Sequence, residues 1–242
     1  MEPGEFVSES QRTFHSQVDP HLQNASLSDI ILGGQDGIVN VLGVLLGVAA
    51  AGGGSRIVVA AGLATASAEA LSMAAVAYTS ALAAADVFRS ERDREYRHVR
   101  QVPALERAEV RAIYESKGFT GAMLDRIVAT ITADPDVWVA VMMSEEHHLA
   151  PVSRRRALRS ALVVGVAALV GSLVPVAPFL FATVAVAAPA SVGIAATSLF
   201  AVGAYKARQT TSPVLRSALE LMTIGLVSAF IAWGIGKLFE AG

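Results

Sequence analysis

The chain has 242 residues, is 53% hydrophobic and 17% charged, and has a mean hydropathy of +0.51, whereas a soluble domain is roughly 25% charged. Its apolar residues gather in long runs, which excludes an ordinary soluble core and points to an all-α polytopic membrane protein. A net charge of −2 gives no bulk attraction to nucleic acid, and the lack of cysteine excludes disulfides, thiolate metal sites and thiol redox chemistry. Any metal must be met by carboxylate, imidazole, thioether or carbonyl groups, which suits divalent first-row or harder cations.

Residues 1–28 are polar and read as a cytoplasmic arm on the membrane surface, in which His15 and His21 are solvated. The arm lacks the basic-then-apolar layout of a cleaved signal peptide, so the first crossing is the expected insertion signal. That crossing runs from Asp29 to about Ala51 and ends in Gly52-Gly53-Gly54-Ser55. Asp36 and Asn40 are four residues apart and share a helix face, with Gly33, Gly43 and Gly47 close to the same stripe. The Gly43 and Gly47 spacing permits close approach of another helix, and these three glycines are expected at a dimer interface. A carboxylate inside a span costs roughly 2.5–3.5 kcal/mol on insertion scales, so it faces a partner or a water-filled path. Asp36 and Asn40 therefore read as lining a cation pathway; the competing reading is an acid at the helix start wetted by headgroups.

The second crossing begins near Ile57, reaches about Ala85, and continues without a break into a charged helical stretch. It carries Glu69 and Met73 one turn apart, a charged oxygen beside a soft thioether, a pair suited to a borderline ion such as Fe²⁺. Met73 alone would read as core filler.

Between Asp86 and Arg156 the composition changes to 12 basic and 12 acidic residues, the mark of a soluble insert. Proline and glycine positions divide it into helices at about 86–100, 103–117, 120–132 and 135–149. Val110, Ile113, Tyr114, Leu124, Ile127, Val128 and Ile131 have the spacing of a small core. Glu91, Glu95 and His98 fall on one face, Glu106 and Glu109 form an i,i+3 pair, and Met142, Met143, Glu145 and Glu146 cluster with His147 and His148 adjacent. Such oxygen, nitrogen and thioether groups suit Fe²⁺, Mn²⁺ or Zn²⁺ if the helices converge. Alternating acids and bases are also what a solvated helix face looks like.

Three more apolar runs follow, Ala157 to Val174, Pro178 to about Tyr205, and Val214 to Leu238, with Pro175-Val176-Ala177-Pro178 expected to break the first from the second and Pro189 to kink the middle one. Five crossings with a cytoplasmic N-terminus leave 17 of the 19 Lys and Arg residues on the cytoplasmic side or its boundary, and only Arg56 and Lys237 outside. Lys206 and Arg208 mark that boundary; Arg216 and Glu220 are expected to form an interfacial ion pair. The organisation is then an arm at 1–28, two membrane helices over 29–85, a cytoplasmic helical domain over 86–156, and three membrane helices over 157–242.

The stretches DGIVN, AEALSMAA, IYESKGF and ADPDVWVAVMMSEEHHL, in that order, resemble the vacuolar iron transporter family, as a bacterial-type member, over nearly the whole chain after about Leu27. The resemblance implies a homodimer of five membrane helices per protomer, a translocation path between protomers, and a cytoplasmic metal-binding domain. It implies export of Fe²⁺, and often Mn²⁺ or other divalent ions, in exchange for protons, with no prosthetic group and no enzymatic reaction. Carried over by position, Asp36 and Met73 line the path, and Glu95, Glu106, Glu109, Met142, Met143 and Glu146 bind metal. Two departures stand out: Val76-Ala77-Tyr78 replaces a Gly-Glu-Tyr of many members, a role Glu69 can take, and His98 stands where some members have glutamate. The expected location is a bacterial inner membrane. Two other readings are a membrane-bound di-iron carboxylate enzyme, on the Glu145-xx-His148 spacing, and a membrane-anchored metal sensor.

Overall fold

In lipid a backbone can satisfy its own polar groups only within helices or closed barrels, and each long apolar run of this chain is a helix. The computed structural model describes residues 25–210 and 212–240, so His15, His21 and most of the N-terminal arm lie outside the described residues. Helix α1 spans Ala25–Ala50 and α2 spans Ser55–Gln101. Three short helices follow, α3 at Pro103–Ser116, α4 at Gly121–Ile131 and α5 at Pro135–Val141, the last running into a π-helical turn at Met142–Glu146. Helices α6 at Arg154–Phe181, α7 at Val184–Gln209 and α8 at Val214–Glu240 complete the chain, and no strand occurs among the described residues. Five of these, α1, α2, α6, α7 and α8, are long and apolar enough to cross a membrane. A sixth would exist only if α4 and the α5 segment, bent by 113° at their junction, were one broken span.

Local chemistry accounts for most boundaries. After α1 the chain turns at Gly52, whose φ of +87° is left-handed, while the Gly53 amide donates back to the Val48 carbonyl at 3.0 Å. Helix α2 is 47 residues long and ends where Pro103 forces Val102 out of helical geometry. Gly118, at φ +93°, closes α3. The Asp134 carboxylate caps α5 by accepting from the Asp136 amide at 2.8 Å.

The chain forms two compact units. One comprises Ala75–Ala161. Its core contains Val110, Leu124, Val128 and Ile131, with Ile113, Tyr114 and Ile127 at the margin, as their spacing predicts; Val99, Trp138, Val139, Met142 and Met143 complete it. The other unit runs up to Ala74 and resumes at Leu162. There α1 supplies the fully buried Val41, Leu42 and Leu45. Small residues bring its helices close: a Cβ on Gly37 would lie 2.2 Å from the Ala168 carbonyl of α6, and one on Gly236 of α8 would lie 2.1 Å from the Gly47 carbonyl.

Three expectations are corrected, and the glycine seam, expected at a dimer interface, is found against helices of the same chain: Gly33 abuts the Val164 carbonyl of α6, while Gly43 and Gly47 face Ala232 of α8. A glycine stripe records only that a helix comes close, not which chain it belongs to. The prolines at 175 and 178 do not break the span; α6 continues through both to Phe181, and the chain breaks before Thr183. Membrane helices tolerate such prolines because neighbouring groups can satisfy the backbone; separately, the Ser191 hydroxyl of α7 ties the two helices by donating to the Pro175 carbonyl at 2.6 Å. The helix expected over 135–149 stops at Glu146, because His148 is left-handed at φ +51° and Pro151 follows. Arg216 and Glu220 are both exposed and not ion-paired among the described residues, in keeping with the small gain from pairing long side chains in water.

Candidate functional site

In the Ala75–Ala161 unit, the end of α2 and the start of α3 form a reversal at Val102-Pro103, which sets Glu95 and His98 of α2 against Glu106 in the first turn of α3. Glu95 and Glu106 are 3% and 2% exposed, and His98 is partly exposed. The three offer ligand atoms that all lie within 4.8 Å of one another. His98 Nδ1 is 3.3 Å from Glu106 Oε1 and 3.9 Å from Glu95 Oε1. From the far end of the unit the π-helical turn brings in His147, whose Nε2 is 3.0 Å from Glu95 Oε1. The other carboxylate oxygens, Glu95 Oε2 and Glu106 Oε2, are buried with no hydrogen-bond partner. Buried polar atoms are ordinarily satisfied, so two carboxylates that each meet an imidazole through Oε1 and leave a buried Oε2 unpartnered suit a group that a proton or a cation can join.

The electrostatics agree. Burial, then the charges of Glu95 and Glu109, push the Glu106 carboxyl up to about 7. Partial desolvation and the Glu109 charge raise Glu146. Burial alone would lower His147, but its bond to Glu95 and the charges of Glu146, Glu95 and Glu91 outweigh that and raise it. Glu95, His98, Glu106, Glu109, Glu146 and His147 thus form one electrostatic group in which negative charge is crowded and poorly solvated.

The remaining predicted ligands are engaged elsewhere. Both oxygens of Glu91 are held by Arg94 at 2.7 Å, and Glu145 is paired with Lys117. Met142 and Met143, 0% and 3% exposed, pack in the apolar core. His147, absent from the predicted ligand set, joins the cluster because the turn is π-helical: its amide bonds to the Met142 carbonyl five residues back, at 3.2 Å. An α-helical reading puts other residues on that face. The Glu-Glu-His-His run was the visible signal; the widened turn was not. The same geometry takes apart the Glu145-xx-His148 motif, since Glu145 is ion-paired and the histidine at the cluster is His147.

In the other unit, α1 and α2 bring together the polar residues of the first two apolar runs. Asn40 Nδ2 donates to Glu69 Oε1 at 3.1 Å, and the Asp36 carboxyl lies beside Glu69. Asp36, Glu69 and Met73 are half-buried and Asn40 is exposed. Two carboxyl groups side by side within spans can hold a proton or a cation between them. The amide adds a neutral oxygen and a donor, and Met73, a turn along from Glu69, supplies a soft sulfur.

The family model described as "VIT family" matches residues 27–237. Among similar proteins, "Vacuolar iron transporter 1" of Eucalyptus grandis is 32% identical over 97% of this chain and 95% of its own length. "Vacuolar iron transporter 2" of Oryza sativa subsp. japonica is 33% identical over 88% of this chain and 87% of its own length. "Protein CCC1" of Saccharomyces cerevisiae is 25% identical over 93% of this chain and 71% of its own length. These matches come from plants and yeast and do not bear out the bacterial type expected from the motifs. Nearly end-to-end similarity, together with the family match, leads to one conclusion: the chain belongs to the VIT family.

Proposed function

We propose that the protein is a membrane transporter that carries Fe²⁺ out of the cytoplasm in exchange for protons. Support for the substrate comes from the relatives, named as iron transporters. The observation that carries the mechanism is the meeting of Asp36, Asn40 and Glu69 on two membrane helices. Carboxylates in lipid need a partner, and one that is exchangeable turns them from a cost into a binding site. Fe²⁺ binds them deprotonated, protons displace it, and occupation by one excludes the other. Alternating occupancy from the two sides gives exchange. Met73 offers the partly dehydrated ion a soft ligand on the way.

The insert over 86–156 is the cytoplasmic collecting domain in this reading, with Glu95, His98, Glu106, Glu109 and Glu146 as the ion-holding groups. Its orphaned carboxylate oxygens and shared charge are relieved when a divalent cation enters. Cytoplasmic placement rests on the distribution of Lys and Arg, which also puts the N-terminus inside. A homodimer fits the same picture, with exposed apolar side chains of α2 such as Leu63 and Leu71 available to meet its copy; Gly33, Gly43 and Gly47 already pack within the protomer.

The test is Fe²⁺ uptake into inverted vesicles under an imposed inside-acid gradient. Wild-type uptake should require the gradient, and Asp36→Ala should abolish it while the protein stays folded and inserted. Unchanged rates in that variant would exclude the mechanism. Gradient-independent uptake would exclude proton exchange while leaving iron transport intact. No specific observation favours a di-iron enzyme, whose motif residue Glu145 is held by Lys117.

A further inference from the structure

We propose that His147 joins His98 as a direct metal ligand, and that this pair of imidazoles makes the Glu95–Glu106 cluster select borderline divalent ions, Fe²⁺, Co²⁺ and Zn²⁺, against Mn²⁺ and Mg²⁺. The inference rests on the reading of this cluster as an ion-collecting site and names the class of ion it collects. The spacing of the ligand atoms is that of a coordination shell. Ligand atoms roughly 2.0–2.1 Å from a metal stand about 3.3 Å apart on a tetrahedral edge and about 3.0 Å apart on an octahedral edge. The separations are 3.0 Å for His147 Nε2 to Glu95 Oε1 and 3.3 Å for His98 Nδ1 to Glu106 Oε1. His98 Nδ1 to Glu95 Oε1, at 3.9 Å, is the one edge that must shorten.

Three elements deliver these atoms: α2 provides Glu95 and His98, α3 provides Glu106, and the π-helical turn ends on His147, its C-cap. Two independent features point to a ligand. Glu95 Oε2 and Glu106 Oε2 are orphaned on side chains 4% and 3% exposed. The turn that delivers His147 is π-helical, a departure from regular helix that recurs at functional positions.

Selectivity follows from ligand chemistry. Carboxylate-only sites suit Mg²⁺ and Mn²⁺, whereas imidazole nitrogen favours iron, cobalt and zinc, and affinity climbs from Mn²⁺ upward along the first row. Each imidazole that replaces a carboxylate also removes a negative charge, which weakens the attraction for hard, strongly hydrated ions most. A site with two nitrogens and two carboxylates thus separates Fe²⁺ from the far more abundant Mg²⁺ by bonding rather than by charge.

The test is metal binding by the full-length, metal-free protein, with Zn²⁺, Co²⁺, anaerobic Fe²⁺, Mn²⁺ and Mg²⁺ titrated separately, and X-ray absorption of the Zn²⁺ and Co²⁺ forms. Two imidazoles per ion should appear in the absorption spectrum. His147→Gln and His98→Gln should each lower Zn²⁺ affinity by about ten- to a hundredfold and change Mn²⁺ affinity by less than about threefold. His98→Glu should narrow the gap between Zn²⁺ and Mn²⁺ while the site still binds, which separates ligand exchange from misfolding. An all-oxygen shell, or equal losses for Zn²⁺ and Mn²⁺ in both glutamine variants, would overturn the inference and leave the collecting site standing. No binding of any ion, or binding untouched by Glu95→Gln with Glu106→Gln, would remove the collecting site itself and the inference with it.

Discussion

Glu106 is the residue whose surroundings say most about how the insert works. Burial and the neighbouring charges of Glu95 and Glu109 raise its carboxyl from 4.5 to about 7. The folded chain therefore binds this proton more tightly than the unfolded chain does. Stabilisation from Glu106 is fully present below pH 4.5 and is lost as pH rises through about 7. His147, also raised, acts in the same direction. The metal-free protein should unfold more readily at pH 8 than at pH 5, and Glu106→Gln should flatten that slope in denaturant titrations. Divalent-metal binding runs oppositely, since the ion competes with the proton: affinity should rise with pH up to about 7, by roughly tenfold per pH unit for each proton released. Titration at pH 5, 6, 7 and 8 checks both slopes.

At the scale of elements, the membrane helices are placed by where side chains are missing. Gly37 of α1 accepts α6 so closely that a Cβ would meet the Ala168 carbonyl and, at 3.0 Å, the Ser172 amide. Both are backbone atoms that cannot step aside. Gly37→Val should destabilise by about 1–3 kcal/mol, read as a lower thermal midpoint in detergent. Gly193 of α7 is the contrast, since nothing lies within 4 Å of its would-be Cβ. There Gly193→Ala should be neutral or stabilising by up to about 1 kcal/mol, because alanine loses less backbone entropy in a helix. Equal behaviour of the two variants would show that close packing at Gly37 is not what holds α1 to α6.

For the whole molecule, the orientation we propose rests on charge. Arg56, in the first turn of α2, and Lys237, near the end of α8, are the two basic residues left outside when the N-terminus and the insert are cytoplasmic. The chain has no cysteine, so single substitutions report sidedness cleanly. Ser55→Cys should react with a membrane-impermeant maleimide added from the non-cytoplasmic side. Ser116→Cys, exposed at the end of α3, should react only from the cytoplasmic side. Labelling of both from one side would overturn the topology. It would also take the collecting site away from the cytoplasm.

Much of this molecule was legible in its residues. Long apolar runs predicted five membrane-length helices because lipid leaves the backbone no other local solution. Helical spacing named the insert's core at Val110, Leu124, Val128 and Ile131, and the rarity of acids in spans singled out Asp36 and Glu69. Local sequence did not reveal which neighbour fills each groove. The glycines of α1 approach α6 and α8 of their own chain, Pro175 and Pro178 pass inside α6, and a π-helical turn exchanges His148 for His147 at the cluster. Sequence patterns report what a helix face can offer. Which partner meets that face, and with what turn geometry, depends on contacts between residues far apart in the chain, and those the tertiary structure alone decided.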